Sequence, residues 1–383
     1  MKKKVLLLVS YVVVSVLSTV LTLGLVFWKT GGIAKLYQLE NLIESCYIGE
    51  ADVTALEDAA AEAMISATGD RWSYYIPASE YAAYRETSEN AYVGIGITIT
   101  VAHDGSGLQI MEVNPGSPAE EAGLQVDDVI TAIEGQDASG MMTTDARNLV
   151  RGREGTQVEL TIWRKGETLT LSVTRRKMAV TVASGRMLED QTGLITIENF
   201  DDRCADETIA AIEALREQGA EKLIFDVRNN PGGYAHELVK LLDYLLPEGD
   251  LFRTVDYAGR ESVDRSDEAC LEMPMAVLVN RDSYSAAEFF AVALQEYEAA
   301  AVVGEKTTGK GHFQTTFQLS DGSAVALSVG KYFTPRGISL EGVGITPDIE
   351  VFVEEGIYAD IYYGQLEPGE DPQIQAALKA LEE

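Results

Sequence analysis

The sequence is poor in the residues that bind metals and form disulfides. Its 383 residues include only three histidines and three cysteines, namely His103, His236, His312, Cys46, Cys204 and Cys270. The cysteines are scattered, odd in number and form no CxxC pair, so they predict neither a disulfide framework nor a zinc site. Three histidines also disfavour a multi-histidine metal centre. We therefore expect a protein with no metal and no other cofactor.

Positive charge is scarce as well. The chain has 30 Lys and Arg against 61 Asp and Glu, a formal net charge of −31. A phosphate backbone would be repelled by such a surface, which excludes nucleic acid as a partner. The chain also lacks low-complexity tracts and repeats at a solenoid period. Its 46% apolar and 24% charged residues are typical of a folded globular protein, and its length predicts two or three domains.

One long uncharged run stands near the amino terminus. Residues 1–4 carry three lysines and precede Val5 to Trp28, which is 24 residues long. As a helix this run reaches roughly 36 Å, enough to cross a ~30 Å hydrocarbon core with some tilt. It ends in Phe27-Trp28-Lys29 rather than in a small-residue cleavage site, which favours an uncleaved signal anchor over a signal peptide. The lysines predict that residues 1–4 stay in the cytoplasm and that the residues after the span lie on the extracytoplasmic side of the cell membrane.

The remaining chain divides by its hydrophobic pattern. Residues 29–89 are predicted to be helical, with a break between Gly49 and Asp52, and residues 90–177 to be a small β-rich domain. Residues 178–355 alternate strands with helices, which indicates an α/β core, and residues 356–383 are predicted to be helical. Among the expected strands are Val93–Ile99, Leu108–Val113, Val129–Ile133, Leu223–Val227, Ala276–Asn280 and Ala301–Gly304.

Three loops at predicted strand ends carry the residues of chemical interest, which is where α/β proteins usually place their sites. In Asp226–Gly233 the paired glycines allow a sharp turn with amide groups free to face an anion. The second loop, Asn280–Glu288, contains Ser283 and Ser285. The third, Gly304–Gln314, contains two lysines.

Ser285 directly precedes a predicted helix. A serine at this position is usually an N-cap, and Glu288, three residues later, completes a capping box. The same position puts the hydroxyl near the positive end of the helix dipole, where developing oxyanion charge is stabilised. Ser283 is a rival for either role.

Lys310 is the candidate general base. A lysine can act as a base if burial lowers its pKa towards neutrality, and its flanking glycines allow close approach to another backbone. Lys306 is the competing lysine, but its polar neighbours predict a solvent-exposed position. Gln314, four residues after Lys310, is in a position to orient the amine. A solvent-exposed turn lysine is the alternative interpretation.

Taken together, these loops closely resemble the carboxyl-terminal processing peptidases, the tail-specific serine proteases of family S41. The resemblance rests on residues 226–233, Ser285-Ala286-Ala287-Glu288, Gly304-Glu305-Lys306-Thr307, Gly309-Lys310-Gly311, Tyr332–Gly337 and Gly344–Asp348. It implies an α/β protease core of the ClpP/crotonase type and a catalytic centre of Ser285, Lys310 and Gln314. It also implies an oxyanion hole from the amide of Ala286 and that of either Gly232 or Gly233. Ala287 departs from many members, which carry serine there.

Residues 90–177 resemble the PDZ domain of the same family. The motif from Pro115 to Leu124 is among its most specific signatures. The resemblance implies that a loop of Val93, Gly94, Ile95, Gly96 and Ile97 captures the terminal carboxylate of a substrate, whose tail adds as a strand. It extends from about residue 70 to residue 383. It further implies a homodimer or higher oligomer formed through the terminal helical regions.

The sequence thus predicts a membrane-anchored, extracytoplasmic serine endopeptidase that binds protein substrates by their C-termini. Two alternatives stay open. An inactive anchored PDZ scaffold would lack the serine, the lysine or the glycine pair, and all are present. A Ser-His-Asp hydrolase would need His236 or His312 beside Ser285.

Overall fold

The computed structural model describes residue 11, residues 14–19 and residues 31–382. The chain forms two compact units, residues 1–77 and residues 78–383. Most of the predicted membrane span, Val5–Trp28, lies outside the described residues. Within the described ranges no helix is both long and apolar enough to cross a bilayer.

The first unit is helical, as its periodicity predicts. Its elements are α1 (Gly31–Cys46), α2 (Val53–Ser66) and the short strand β1 (Tyr74–Ile76). The carboxylate of Asp52 caps α2 by accepting a hydrogen bond from the amide of Ala55 at 3.3 Å. This cap lies inside the predicted break at residues 49–52, which confirms two helices rather than one. Several apolar side chains of α1 are exposed, among them Leu36, Leu39 and Leu42.

The second unit begins with a helix and a small antiparallel barrel-like domain. In chain order its elements are α3 (Ala78–Ser88), β2 (Ala91–Gly94), β3 (Ile97–Val101), β4 (Leu108–Val113), α4 (Pro118–Glu121), β5 (Val129–Ile133), β6 (Gln136–Asp137), α5 (Thr143–Val150), β7 (Gln157–Arg164), β8 (Glu167–Thr174) and β9 (Arg176–Ala179). The sheet order is β3-β4-β5-β7-β8, with β6 on β5 and a separate β2–β9 pair. Its core is formed by side chains such as Leu108, Ile110, Ile130, Leu160 and Ile162.

The predicted strand Val93–Ile99 is wrong in one respect, because the chain breaks it into β2 and β3. Gly96 adopts φ +80°, a left-handed conformation that a strand does not allow. A Cβ at this position would lie 2.5 Å from the Cβ of Ser117, so only glycine fits. The side chain of Ile95 is buried in the core of this domain. The alternation of glycine and β-branched residues therefore marks a turn between two strands.

The rest of the second unit is an α/β core. Its elements are β10 (Ala183–Met187), β11 (Thr192–Ile197), α6 (Cys204–Glu217), β12 (Lys222–Asp226), α7 (Ala235–Leu245), β13 (Gly249–Asp256), β14 (Glu261–Ser266), β15 (Met275–Val279), α8 (Ala286–Glu296), β16 (Ala300–Gly304), β17 (His312–Gln318), β18 (Ala324–Phe333), β19 (Ile349–Glu350), α9 (Glu355–Tyr362) and α10 (Pro372–Ala380).

The central sheet of this core has the order β10-β11-β12-β15-β16-β19 and is parallel except for β10. Leu223 and Phe225 of β12 belong to the hydrophobic cluster of α6, α7 and α8, whereas Ile224 packs in a second cluster with α10. Burial on both faces explains the uninterrupted apolar run of β12. Strands β13, β14, β17 and β18 form antiparallel pairs beside it. The predicted site lies on the three loops that follow the parallel strands β12, β15 and β16.

Candidate active site

Ser285 stands between β15 and α8 in a strained backbone conformation. Its φ of 58° and ψ of −124° lie in a region that L-residues rarely adopt. Holding a non-glycine residue there costs on the order of 1–3 kcal/mol, and such strain is concentrated at functional sites. The side chain is 6% exposed. The sharp turn places Ser285 at the amino-terminal end of α8, as the sequence predicts.

Ser283 has a different environment. It is fully buried, its hydroxyl donates to the carbonyl of Val227 at 2.7 Å, and its oxygen accepts from the amide of Asn280 at 3.0 Å. These bonds use the hydroxyl to join the loop of Ser285 to the end of β12. Ser283 is therefore a structural residue, and Ser285 is the serine that the loop presents.

The glycine turn lies directly against Ser285. Gly232 has φ +87°, and a Cβ there would lie 2.7 Å from both the Cβ of Ser285 and the amide nitrogen of Ala286. Any side chain at Gly232 would therefore separate the two loops. The sequence predicted a sharp turn here, and in the structure Gly232 brings this turn against Ser285.

The two glycine amides differ in their partners. The amide of Gly232 donates to Oδ1 of Asn230 at 2.8 Å. The amide of Gly233 is not among the hydrogen-bonded amides of the described residues, and neither is that of Ala286, the first residue of α8. First-turn amides of a helix have no acceptor within the helix. Two N–H groups from the two loops thus remain available for an oxyanion.

Paired asparagines fasten the glycine turn to the loop of Ser285. The backbone amide of Asn229 donates to Oδ1 of Asn280 at 2.9 Å, and the side-chain nitrogen of Asn280 donates to Oδ1 of Asn229 at 2.8 Å. The carbonyl of Asn230 accepts from the amide of Tyr284 at 3.1 Å. The side chain of Asn230 donates to the carbonyl of Ile197 at 2.7 Å. Sequence reasoning missed these residues, since nothing local marks an asparagine that bonds across 50 positions.

Glu288 connects the loop of Ser285 with the loop of Lys310. Its buried carboxylate accepts the Ser285 amide at 3.1 Å and the Lys310 amide at 2.8 Å on the same oxygen, Oε2. The other oxygen accepts the Gly309 amide at 2.8 Å and the hydroxyl of Thr307. Two donors on one oxygen place the amide nitrogens of Ser285 and Lys310 within about 6 Å of each other. Burial raises the pKa of Glu288, while these hydrogen bonds lower it.

The capping box predicted for Ser285 and Glu288 is confirmed by the hydrogen bond from the Ser285 amide to the Glu288 carboxylate. Glu288 also makes bonds that the motif does not require. The extra bonds to residues 307–310 come from a loop about 20 positions away. A short cap motif carries no information about them.

Lys310 is partly buried, and Lys306 is exposed, as predicted. Nζ of Lys310 lies 5.7 Å from the ring centroid of Tyr284, the residue before Ser285. A Cβ at Gly309 would lie 2.8 Å from the amide nitrogen of Gly344, which confirms that glycine lets this loop approach another backbone closely.

The other polar candidates lie near the same loops. The side-chain nitrogen of Gln314, in β17, donates to the carbonyl of His312 at 3.1 Å and to the hydroxyl of Ser328 at 3.0 Å. His236 stacks on Tyr234 with ring centroids 5.3 Å apart, and its side chain is 68% exposed. Nδ1 of His312 lies 3.2 Å from a carboxylate oxygen of Glu341. The described hydrogen bonds join neither imidazole to Ser285.

The predicted carboxylate-binding loop of the PDZ domain is divided between three elements. Val93 and Gly94 pair with β9, and Ile97 begins β3. The carbonyls of Ile95 and Gly96 accept the amides of Ala119 at 2.9 Å and Asn114 at 3.0 Å. Both bonds hold the turn against the segment around α4, where the PDZ signature lies.

One partly buried carboxyl near the glycine turn was not singled out from the sequence. The backbone of Asp201 lies against Gly233, since a Cβ on that glycine would be 2.5 Å from the Asp201 amide nitrogen. Burial, and to a smaller extent the charge of Asp202, raises the pKa of Asp201 to about 7.

Comparisons with known proteins identify both domains of the second unit. The family model of peptidase family S41 matches residues 191–351, and that of the PDZ domain matches residues 109–164. The former contains the glycine turn, Ser285 and Lys310.

Full-length relatives extend the match. A carboxyl-terminal-processing protease of Synechocystis sp. is 35% identical over 329 residues, covering 84% of this chain and 76% of the relative. A CtpA-like serine protease of Staphylococcus saprophyticus is 31% identical over 368 residues, covering 93% and 74%. A solved structure of an S41 protease from Bacteroides fragilis, 18% identical, has a similar fold with a TM-score of 0.50, covering 90% of this chain and 97% of that one. The chain therefore belongs to peptidase family S41, the carboxyl-terminal processing serine proteases, and carries a PDZ domain.

Proposed function

We propose that the chain is a membrane-anchored endopeptidase in which Ser285 is the nucleophile and Lys310 the general base. The observation that carries the proposal is the single oxygen of Glu288 that accepts the backbone amides of both residues. It holds the two loops together. The contact of Nζ of Lys310 with the ring of Tyr284 directs the lysine side chain towards the nucleophile loop.

In the proposed mechanism, unprotonated Lys310 accepts the proton of Ser285 as Oγ attacks the peptide carbonyl. The tetrahedral oxyanion accepts hydrogen bonds from Ala286 and Gly233, since the Gly232 amide already donates to Asn230. The amine of the leaving fragment takes a proton from Lys310, and an acyl-enzyme remains on Ser285. Lys310 then activates the water that hydrolyses it. Gln314 orients the lysine through its amide oxygen, because its nitrogen is bonded to β17 and β18.

Substrate selection is assigned to the PDZ domain. Its loop of Val93–Ile97 would bind a terminal carboxylate, and the substrate tail would add as a strand next to β3. The protein substrate would then be cleaved upstream of its C-terminus. This agrees with the names of the relatives from Synechocystis and Staphylococcus.

The cellular arrangement is also part of the proposal. The span Val5–Trp28 would anchor the chain in the cell membrane, with the protease outside the cytoplasm. The exposed apolar residues of α1 support an oligomer, in which they would be covered.

The test is cleavage of an unstructured peptide with an apolar C-terminus by the full-length protein. Ser285→Ala and Lys310→Ala should lose at least roughly 1,000-fold in kcat, as is usual when a residue of a catalytic unit is removed. Lys306→Ala and Ser283→Ala are the matched controls and should still turn over. Activity in Lys310→Ala together with its loss in His236→Ala or His312→Ala would replace this mechanism with a serine–histidine one. No cleavage by the wild type would favour the scaffold.

A further inference from the structure

The glycine turn begins with a buried arginine. Arg228 follows β12 and precedes the Asn229–Gly233 segment, and its side chain is 5% exposed. Its guanidinium donates to Asp226 through Nε at 2.8 Å and through Nη2 at 2.5 Å. It also donates through Nη1 to Oδ2 of Asp371 at 2.7 Å. Arg228 is thus bonded to two carboxylates, that of Asp226 at the end of β12 and that of Asp371, 143 positions away.

Asp371 uses its two oxygens for two different tasks. Oδ1 accepts the amides of Gln373 at 2.9 Å and Ile374 at 3.2 Å, which caps the amino-terminal end of α10. Oδ2 binds Arg228. The side chain of Gln373 adds a second connection, since its oxygen accepts from Arg228 at 3.0 Å and its nitrogen donates to the carbonyl of Val351 at 2.8 Å. The start of α10 is therefore bonded directly to the start of the glycine turn.

Asp371 is not needed to neutralise the buried charge of Arg228. Asp226 already supplies one negative charge at bidentate distance, which neutralises the guanidinium. A second buried carboxylate is costly unless each lone pair has a donor. Here both oxygens of Asp371 have donors, and they come from α10 and from the turn. The arrangement is suited to fixing the position of one element relative to the other.

From Arg228 the turn leads to the oxyanion amides with little freedom. Asn229 is bonded to Asn280, and Asn230 is bonded to Tyr284 and to the Gly232 amide. Gly233 follows at once. Four residues separate Arg228 from Gly233, and Asn229, Asn230 and Gly232 among them are hydrogen-bonded, so a displacement of Arg228 would reach the Gly233 amide through a short, constrained segment.

We propose that Asp371 and Gln373, at the amino-terminal end of α10, are positioning residues that hold the oxyanion turn through Arg228. The inference rests on the proposed function of the Gly233 amide. Neither residue touches substrate. Their loss should weaken transition-state stabilisation while leaving substrate binding in place.

The experiment uses Asp371→Asn in the full-length protein. Asparagine can still cap α10, because asparagine is as good an N-cap as aspartate. It removes the charge that holds Arg228. Ala376→Gly is the control, since it weakens α10 through helix propensity without contacting the arginine. Active sites are counted by labelling of Ser285 with a fluorophosphonate, and kcat is expressed per labelled site.

For Asp371→Asn we expect kcat to fall roughly 10- to 100-fold, somewhat less than the loss of one oxyanion donor, with KM within about twofold. Binding of a peptide aldehyde, whose adduct with Ser285 places an oxyanion in the hole, should weaken by a similar factor. Ala376→Gly should lower the unfolding midpoint and keep kcat per site. If Asp371→Asn does not fold, Gln373→Ala decides, with a several-fold loss in kcat expected.

Unchanged kcat per site and unchanged aldehyde binding in the folded variant would overturn the positioning role. An equal loss of kcat per site in Ala376→Gly would attribute the effect to the general stability of α10, which would also overturn the positioning role. If the wild type neither cleaves peptide nor labels at Ser285, the proposed function itself fails. That outcome is distinct from an active, labelled wild type with an unaffected Asp371→Asn variant.

Discussion

The PDZ domain and the protease core each bury an arginine, but they satisfy it in different ways. In the PDZ domain, Arg175 donates to the carbonyls of Leu149, Val150 and Gln157 and to the hydroxyl of Thr156. It closes the carboxyl-terminal end of α5, where the helix dipole favours a cation. In the core, Arg228 lies between two carboxylates from separate elements.

The same contrast holds for the other buried polar groups. The PDZ domain has few of them, chiefly Ser117, Asp128 and Arg175, which cap a helix or bond to neighbouring strands and turns. The core has more of them. Some lie elsewhere in the core, such as Thr208, Glu237 and Ser266, but many lie in or bond to the loops of the candidate site, among them Asn230, Asn280, Ser283, Glu288, Thr307, Asp371 and Gln373. Fully bonded polar networks fix one arrangement of the groups that they join. The buried polar groups of the PDZ domain therefore maintain its fold, whereas those around the candidate site of the core hold its loops in position relative to one another.

The strongest test of this contrast is Glu288→Gln. The amide group replaces one acceptor oxygen with a donor that faces backbone N–H groups, so the Ser285 and Lys310 loops lose their common anchor. We expect kcat to fall at least about 100-fold, because the amides of Ser285 and Lys310 lose the acceptor that fixes their relative position. Glu298→Gln, an exposed position after α8, is the control. Peptide cleavage at a wild-type rate by Glu288→Gln would separate the polar network from catalysis.

The second test concerns the carboxyl of Asp201, beside the glycine turn of the core. Its pKa is raised to about 7, so between pH 4 and pH 7 the unfolded chain releases its proton while the folded protein keeps it. Stability contributed by the neutral carboxyl is therefore present at low pH and is lost as pH rises to about 7. Asparagine mimics the neutral form at every pH.

Asp201→Asn should accordingly be more stable than the wild type at pH 8 by up to about 3 kcal/mol, and equal to it near pH 4. Urea unfolding at pH 4.5, 6 and 8 measures the difference, with the exposed Glu221→Gln as control. A stability difference that stays constant with pH would show that Asp201 is ionised in the folded protein at neutral pH.

Arg175→Met tests the PDZ side of the comparison. Two carbonyls at the end of α5 and two acceptors at the start of β7 lose their donor, which should reduce the free energy of unfolding by about 2–3 kcal/mol. Hydrogen exchange at the amides of residues 146–151 should rise more than exchange in α8. A short peptide that does not need the PDZ domain should be cleaved with unchanged kcat. The exposed Arg153→Met serves as control, and a fall in kcat for that peptide would show that Arg175 acts beyond its own domain.

The sequence predicted those parts of the site that depend on local pattern. The apolar runs of β12 and β15, the cap at Ser285 and the glycine turn follow from short-range chemistry, and all occur where expected. The broken strand at Gly96 was missed because a glycine turn and a glycine-containing strand have the same alternation. Which glycine amide is available could not be predicted, since it depends on the side chain of Asn230.

Contacts across the chain escaped prediction altogether. Arg228 and Asp371 are 143 positions apart, and Asn229 and Asn280 are 51 apart. No period or motif connects such pairs. The parallel order of β12 and β15 brings Asn229 and Asn280 together, and the packing of α10 against this sheet brings Asp371 to Arg228. The candidate residues were thus readable from the sequence, whereas the network that positions them was not.

The smallest expected effect comes from Ser283→Ala, which separates the two serines of one loop. Removing the hydroxyl breaks bonds to Val227 and Asn280 and should lower the free energy of unfolding by about 1–2 kcal/mol. Labelling of Ser285 by a fluorophosphonate should persist, because that hydroxyl is untouched. Ser262→Ala, exposed on β14, is the control for both measurements. Loss of labelling in a folded Ser283→Ala protein would mean that the buried serine takes part in the chemistry, and the division between structural and catalytic groups within this loop would fail.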